Sequence, residues 1–252
     1  MYRPRIIPVL LLKENGLYKT KKFESPIYIG DPINAVKIFN DAKADELIFL
    51  DINSTKDNTP INYDLLSKIS EEAMMPFSYG GGLNSLEKIK KAFQAGSEKV
   101  VLNSICYNSI EIIKEATKIF GNQAIVVSID VRYENNEYIL YSNAGNKKES
   151  ISLEQHLINC EEAGAGEFFI NSIDKEGTRE GYDLKLYETV SKIVNVPIIA
   201  SGGANDEDDM VDLIKKDVVS ATAAGSMFVF IGRKNAVMIN YPEPEDLIEL
   251  FE

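Results

Sequence analysis

Asp130 ends an apolar run, AIVVSID (124–130), and a carboxyl group at the lip of a buried strand is well placed to move protons as a general acid or base. Asp at a strand end can equally cap the next helix or bind a loop amide. Two glycine turns stand at the ends of other apolar runs: Gly80, Gly81 and Gly82, then Gly202 and Gly203. Glycine lets the backbone approach an anion closely and turn its amides towards it. Beside each turn another run ends in a hydroxyl or amide, Asn103 with Ser104 in one case and Gly225 with Ser226 in the other. One such turn is ordinarily just a tight turn. Two matched sets point to paired phosphate cradles, aided by helix N-termini, and so to a phosphorylated small molecule with two anionic ends.

The two sets are matched because the chain repeats itself at an offset of about 120 residues. KADELIFLDI (43–52) answers GAGEFFINSI (164–173), MPFSYGGGLNSLEKI (75–89) answers VPIIASGGANDEDDM (196–210), and VVLNS (100–104) answers TAAGS (222–226). The same offset lays RIIPVLLL (5–12) on IVVSIDV (125–131), which makes Leu11 the counterpart of Asp130. One partner can titrate and the other cannot.

The elements that must position these residues are eight short runs, apolar on both faces: 5–12, 46–52, 75–80, 99–104, 124–130, 167–173, 196–202 and 218–226. That pattern belongs to parallel strands covered on both sides. Amphipathic helices lie between most of them, clearest over Glu111 to Phe120, where Ile112, Ile113, Ala116, Ile119 and Phe120 share a face. Leu65, Leu66 and Ile69, and Leu86, Ile89 and Phe93, repeat the pattern. Eight alternations predict an α/β fold, a (β/α)8 TIM barrel, with an open doubly wound sheet as the competitor. The repeat favours the barrel, one domain over 1–252 with half-barrels of about 1–122 and 123–252. The acidic tail from Pro242 to Glu252 is expected to form a short final helix.

At the entrances of the first, second, fourth and sixth runs stand Arg5, Glu46, Lys99 and Glu167, two cations and two anions able to close a ring at the barrel's bottom. Glu98 and Gln123 share that rim. Composition sets the boundaries. A chain of 252 residues with 44% hydrophobic residues can bury one large core, and a formal net charge of −12 disfavours nucleic acid as a partner. No apolar run is long enough to span a bilayer, and Met1 to Pro8, with Arg3 and Arg5, has no leader pattern, so a cytoplasmic protein is expected. Cys106, Cys160 and His156 lack metal-ligand spacing, so neither a disulfide framework, a metal nor a cofactor is expected.

RIIP, DELIFLDI, YGGG, the strand ending in Asp130, SIDKEGTREGYD and IIASGG resemble the HisF-type cyclase subunit of imidazole glycerol phosphate synthase over nearly the whole chain. The resemblance implies a barrel that takes ammonia from a glutaminase docked at its N-terminal face. It further implies cyclisation of a two-phosphate ribonucleotide intermediate, with one Asp per half as acid and base. Here those positions are Leu11 and Asp130. Lys19 matches the cation of the family's mobile first loop, although its polar surroundings, with Lys13, Lys21 and Lys22, also suit a plain solvated lysine. Asp51 matches a polar pocket residue, Glu176 beside Gly177 replaces the acid of a DGT turn, and Arg5, Glu46, Lys99 and Glu167 match a charged ammonia gate.

The departure at Leu11 has company. Residues 3–20, 28–40 and 225–242 resemble the WbuZ-type glycosyl amidation proteins, an offshoot of HisF in which a triple-leucine strand replaces the cyclase acid. That resemblance implies a HisH-like glutaminase and an N-acetyl-sugar amidotransferase as partners. The pathway converts an acetamido group to an acetamidino group for surface glycans. Three functions follow: a synthase-side subunit of that complex, a working cyclase that tolerates Leu11 with a neighbour such as Asp51 substituting, or a scaffold that conducts ammonia.

Overall fold

A computed structural model describes residues 4–232 and 234–251. Arg3, Arg233 and Glu252, which belong to stretches quoted above, lie outside the described residues. The eight barrel strands are β1 (Arg5–Lys13), β2 (Leu47–Asp51), β3 (Phe77–Gly80), β4 (Lys99–Leu102), β5 (Ile125–Glu134), β6 (Glu167–Ser172), β7 (Ile198–Ser201) and β8 (Ala221–Ala224). Each neighbour pair is parallel. β8 pairs with β1, and the β5–β6 pairing closes the ring, so the fold is a (β/α)8 barrel and not an open sheet.

A helix follows each strand: α1 (Pro32–Asp41), α2 (Tyr63–Glu72), α3 (Leu86–Gln94), α4 (Glu111–Phe120), α5 (Leu153–Glu162), α6 (Leu184–Val190), α7 (Glu207–Lys215) and α8 (Pro244–Phe251). Their starts are chemically specified. Asp31, Asn62, Ser85, Ser152, Asp183 and Asp206 each occupy the N-cap and accept a hydrogen bond from an amide of the first turn, worth roughly 1 kcal/mol apiece. α4 buries Ile112, Ile113 and Ala116 as the periodicity requires. Ile119 departs from it and is half-exposed, because at the last turn Phe120 takes the contact instead, stacking on Phe93 of α3 with ring centroids 4.1 Å apart.

Alternation along each strand sends residues i, i+2 and i+4 to the barrel interior. β1 thus points Arg5, Ile7, Val9 and Leu11 inward in ascending order. Ile7, Val9, Leu11, Ile48, Val101, Val126, Phe169, Ile199, Ala221 and Ala223 form one interior cluster, separate from the larger core between sheet and helices.

Two connections are longer than the sequence reading allows. β1 runs into an antiparallel hairpin, Gly16–Lys21 paired with Glu24–Gly30, in which Tyr18 lies opposite Leu11. The expected polar first loop is therefore a pair of strands. Lys19 is correspondingly buried, 5% exposed, because alternation along GLYKTK turns it and Leu17 away from solvent. β5 likewise continues past Asp130 and folds back through Glu137–Ser142. Among the described residues no helix is long and apolar enough to cross a membrane.

Candidate functional site

The strand ends open on a cavity of about 550 Å³, and Leu11 and Asp130 both line it. They occupy unlike surroundings. Leu11, 8% exposed, stands in register with Leu50 and belongs with Val9 to an apolar wall. Asp130, also 8% exposed, lies among Asn103, Ser128, Asn171 and Ser201. It accepts hydrogen bonds from Asn103 Nδ2 at 2.8 Å and Asn171 Nδ2 at 3.4 Å. Among the described residues no backbone amide is bonded to it, so it neither caps a helix nor ties a loop there.

Burial pushes the Asp130 carboxyl up to about 7, with the Glu176 charge adding in the same direction and the two asparagine bonds opposing. A carboxyl group with that affinity can give or take a proton near neutrality. Asp51 does not complement it. Its carboxylate accepts from the amides of Asn53 and Ser54 at 2.9 and 2.8 Å and from Ser54 Oγ at 2.5 Å, which commits it to shaping the loop after β2.

The glycine turns fall at the mouth. Gly80 closes β3, while Gly81 and Gly82 follow it with φ of +111° and +69°. A Cβ on Gly81 would lie 2.4 Å from the Asp51 carbonyl oxygen, so close packing alone already requires glycine there. The Gly82 amide donates to Thr55 Oγ1 at 3.0 Å. Asn103 is turned towards Asp130, and Ser104 Oγ accepts from the Asn143 amide at 2.9 Å. Gly202 and Gly203 follow β7, also at positive φ. Gly225 follows β8 with Lys19 Nζ against it: a Cβ there would meet that nitrogen at 2.5 Å.

Lys19 does not stand alone. Its Nζ donates to Glu176 Oε1 at 2.7 Å, and Glu176 Oε2 accepts from Thr20 Oγ1 at 3.2 Å and from the Phe23 amide at 3.4 Å. One buried carboxylate thus pins the hairpin over the mouth. Gly177 has no room for a side chain, since a Cβ would lie 2.5 Å from the Thr20 carbonyl oxygen.

At the opposite end of the barrel the four entrance charges meet. Arg5 pairs with Glu46 at 2.5 Å and also with Glu167, and Lys99 bridges the same two acids at 3.2 and 3.0 Å. Ser78 Oγ donates to Glu46 at 2.9 Å. Glu98 is exposed on this rim and accepts from the Phe77 amide at 2.9 Å, while Gln123 Nε2 donates to the Phe120 carbonyl at 3.4 Å. Between ring and cavity the interior is apolar, lined by Ile7, Ile48, Val101, Val126, Phe169, Ile199 and Ala221.

The histidine biosynthesis protein family matches residues 5–232. The chain is 44% identical over 248 residues to a Pseudomonas aeruginosa protein named "Putative imidazole glycerol phosphate synthase subunit hisF2", covering 98% of this chain and 99% of that one. It is 41% identical over 253 residues, the full length of both, to a Leptospira interrogans protein named "Putative imidazole glycerol phosphate synthase subunit HisF". With the imidazole glycerol phosphate synthase subunit HisF of Streptococcus mutans it shares 35% identity over 229 residues, 90% of this chain and 91% of that one. This chain belongs to the HisF-type family of histidine biosynthesis proteins.

Within this HisF-type barrel, sequence reasoning passed over Asn171, Ser128, Ser201, Thr55 and Arg179. Period-two counting back from Asp130 and forward from Glu167 would have found Ser128 and Asn171 as inward positions. Thr55 and Arg179 lie on loops without periodicity, and no such signal points to them. Cys106, Cys160 and His156 are buried away from the mouth. His156 stacks on Tyr107 at 4.1 Å, and burial lowers its imidazole to about 4 and raises the Cys160 thiol to about 12, so both are neutral core groups at pH 7. Among the described residues no three His, Cys, Asp or Glu side chains are grouped so as to hold a metal ion.

Proposed function

We propose that this barrel, a single domain of two half-barrels of about 1–122 and 123–252, is the synthase-side subunit of a cytoplasmic, glutamine-dependent complex. It takes ammonia from a HisH-like glutaminase at the Arg5 end and serves acetamidino-sugar formation with an N-acetyl-sugar amidotransferase, as in the WbuZ-type offshoot. The observation that carries this reading is the apolar wall at Leu11. A two-acid cyclisation needs proton transfer at two places, and a well-placed acid or base contributes ~10²- to 10⁴-fold. Leu11 supplies no proton, and Asp51 is already engaged by the loop it shapes. Asp130 would be the single acid or base, and the glycine turns with Lys19, Asn103, Ser104, Glu176, Gly177 and Ser226 would hold a phosphorylated ligand.

The apolar interior between the charged ring and Asp130 supports passage of neutral ammonia, since an ammonium ion would lose its hydration there without a partner. With all four charges of the ring mutually paired, Arg5, Glu46, Lys99 and Glu167 would act as a gate that a docked glutaminase opens.

Imidazole glycerol phosphate formation from the family's ribonucleotide substrate, with saturating ammonium salt and purified protein, tests the reading. No turnover, combined with stimulation of a HisH-like glutaminase by this barrel, is the expected result. Turnover would overturn it in favour of the second reading, an authentic cyclase of histidine biosynthesis. That alternative is favoured by the relatives' printed names and by the near-neutral Asp130 carboxyl. Pathway flux that survives Asp130→Asn but not disruption of the Arg5–Glu46 pair would instead indicate an ammonia conduit.

A further inference from the structure

The chain's own fold does not cover the hairpin that follows β8. Phe230–Ile231 pairs antiparallel with Ala236–Val237, and every described residue of 231–238 is exposed. Three of those side chains, Ile231, Val237 and Met238, are large, apolar and half-exposed, and so is Ile248 of α8. Of the ten large apolar side chains exposed among the described residues, these four fall within 231–248, while the other six are spread over 27–133. Scattered apolar residues are ordinary on a surface, whereas a concentration of them marks an interaction. Hairpin and helix are tied to the same stretch of barrel wall. The Met238 and Asn240 amides donate to the Val229 and Phe228 carbonyls at 3.0 and 2.9 Å, and Tyr241 packs on Phe228 and Phe39 just before α8 begins. The family match stops inside this hairpin, at residue 232.

Charge says what the surface fits. The tip reads Gly232, Arg233, Lys234, Asn235, two adjacent cations in a chain of net charge −12. The helix that follows is opposite in sign, with Glu243, Glu245, Asp246 and Glu249 all exposed. Among the described residues neither Lys234 nor any of these four acids is in an ion pair. One segment therefore carries both halves of a complementary contact, each beside exposed apolar side chains. A two-fold interface, in which the same patch serves on both copies, requires that self-complementarity. A lipid surface fits it less well, because the anionic headgroups that attract the tip repel the acids of α8.

We propose that residues 231–249 form a self-association surface, on which the hairpin of one copy lies along α8 of a second copy. Ile231, Val237 and Met238 meet Ile248 across the two-fold axis, and Lys234 meets the carboxylates of Glu245 and Glu249. None of these residues lines the cavity or belongs to the charged ring, so the inference is independent of how either is used.

Sedimentation of the full chain across the micromolar range tests it. A reversible dimer of twice the chain mass is expected. Met238→Asp, at a position the fold leaves exposed, should raise the dissociation constant about tenfold or more with the melting temperature unchanged, since it sets a carboxylate in an apolar contact. Lys234→Glu alone, and Glu245→Lys with Glu249→Lys, should each weaken the dimer. Mixing those two variant chains should restore association as a heterodimer, because opposite signs then meet at both halves of the interface. A monomer across that range, a dimer indifferent to Met238→Asp, or variant chains that stay apart on mixing would each overturn the inference. Binding of the chain to phosphatidylglycerol vesicles that Lys234→Glu abolishes would overturn it too, by making the hairpin a lipid contact.

Discussion

The two ends of this barrel handle charge in opposite ways. At the N-terminal end two cations and two anions are spent on one another, and each acid meets both bases. At the C-terminal end Asp130 is buried with two amide donors and, among the described residues, no cation bonded to it. A closed set of pairs leaves no buried charge without a partner and contributes to cohesion. An unpaired buried acid loses stability in order to keep a proton exchangeable near pH 7. The same contrast recurs across the mouth itself, where Leu11 faces the cavity from an apolar wall and Asp130 from a polar one.

The contrast breaks most severely at the charged ring. Glu46→Ala removes an acceptor shared by Arg5, Lys99 and Ser78, and breaking such a pair typically costs ~3–5 kcal/mol when fully buried. Because Arg5 and Lys99 keep side-chain exposures of 24% and 22%, a loss of roughly 2–4 kcal/mol in urea unfolding is expected. Unchanged stability would mean that the ring is not cohesive.

Leu11→Asp sharpens the comparison by making the two walls alike. Burial of the leucine is forfeited and a second carboxyl enters the cavity, for an expected loss of roughly 2–3 kcal/mol. The added charge should also raise the Asp130 carboxyl further above 7, which carbon NMR titration of the side chains would detect.

Asp130→Asn should act in the opposite direction. The folded-state affinity of Asp130 is raised from 3.8 to about 7, so between those values the native chain binds more protons than the unfolded chain and stability falls as pH rises. Above about 7 the destabilisation is complete, and below about 4 it is absent. Replacing the acid should therefore increase stability by roughly 1–3 kcal/mol at pH 8 and by little at pH 4, with the curves converging through that window. Parallel curves would remove the assignment.

The smallest global effect is expected from Lys19→Met. Ring closure by β1 to β8 does not depend on the hairpin, so stability should change by less than about 1 kcal/mol. Proteolytic cleavage within residues 16–30 should nevertheless accelerate, because Glu176 loses its cation.

Much of this was legible in order of the residues. Two-sided apolar runs marked the barrel strands to within a few residues, and α4 begins and ends where expected, although Ile119 leaves the buried face in its last turn. The four entrance charges were identifiable because each directly opens or precedes a strand, where barrel geometry leaves few destinations. The hairpin after β1 was not legible as strands, since its lysines made it read as a polar loop. Alternation there buries Lys19 only because Glu176, 157 residues further along, supplies a carboxylate.

The sequence by itself determined the alternation of elements, the helix caps, the glycine turns and the inequality between Leu11 and Asp130, because each is fixed by residue type, local spacing or repeat. Tertiary structure alone decided which groups became partners: Asn171 beside Asp130 across the closing β5–β6 pair, Thr55 on the Gly82 amide, and Arg179 on the cavity wall with an unpaired N–H. Such contacts depend on strand register and ring closure, which bring residues tens of positions apart to hydrogen-bonding distance and set the local dielectric. No short-range pattern encodes that distance.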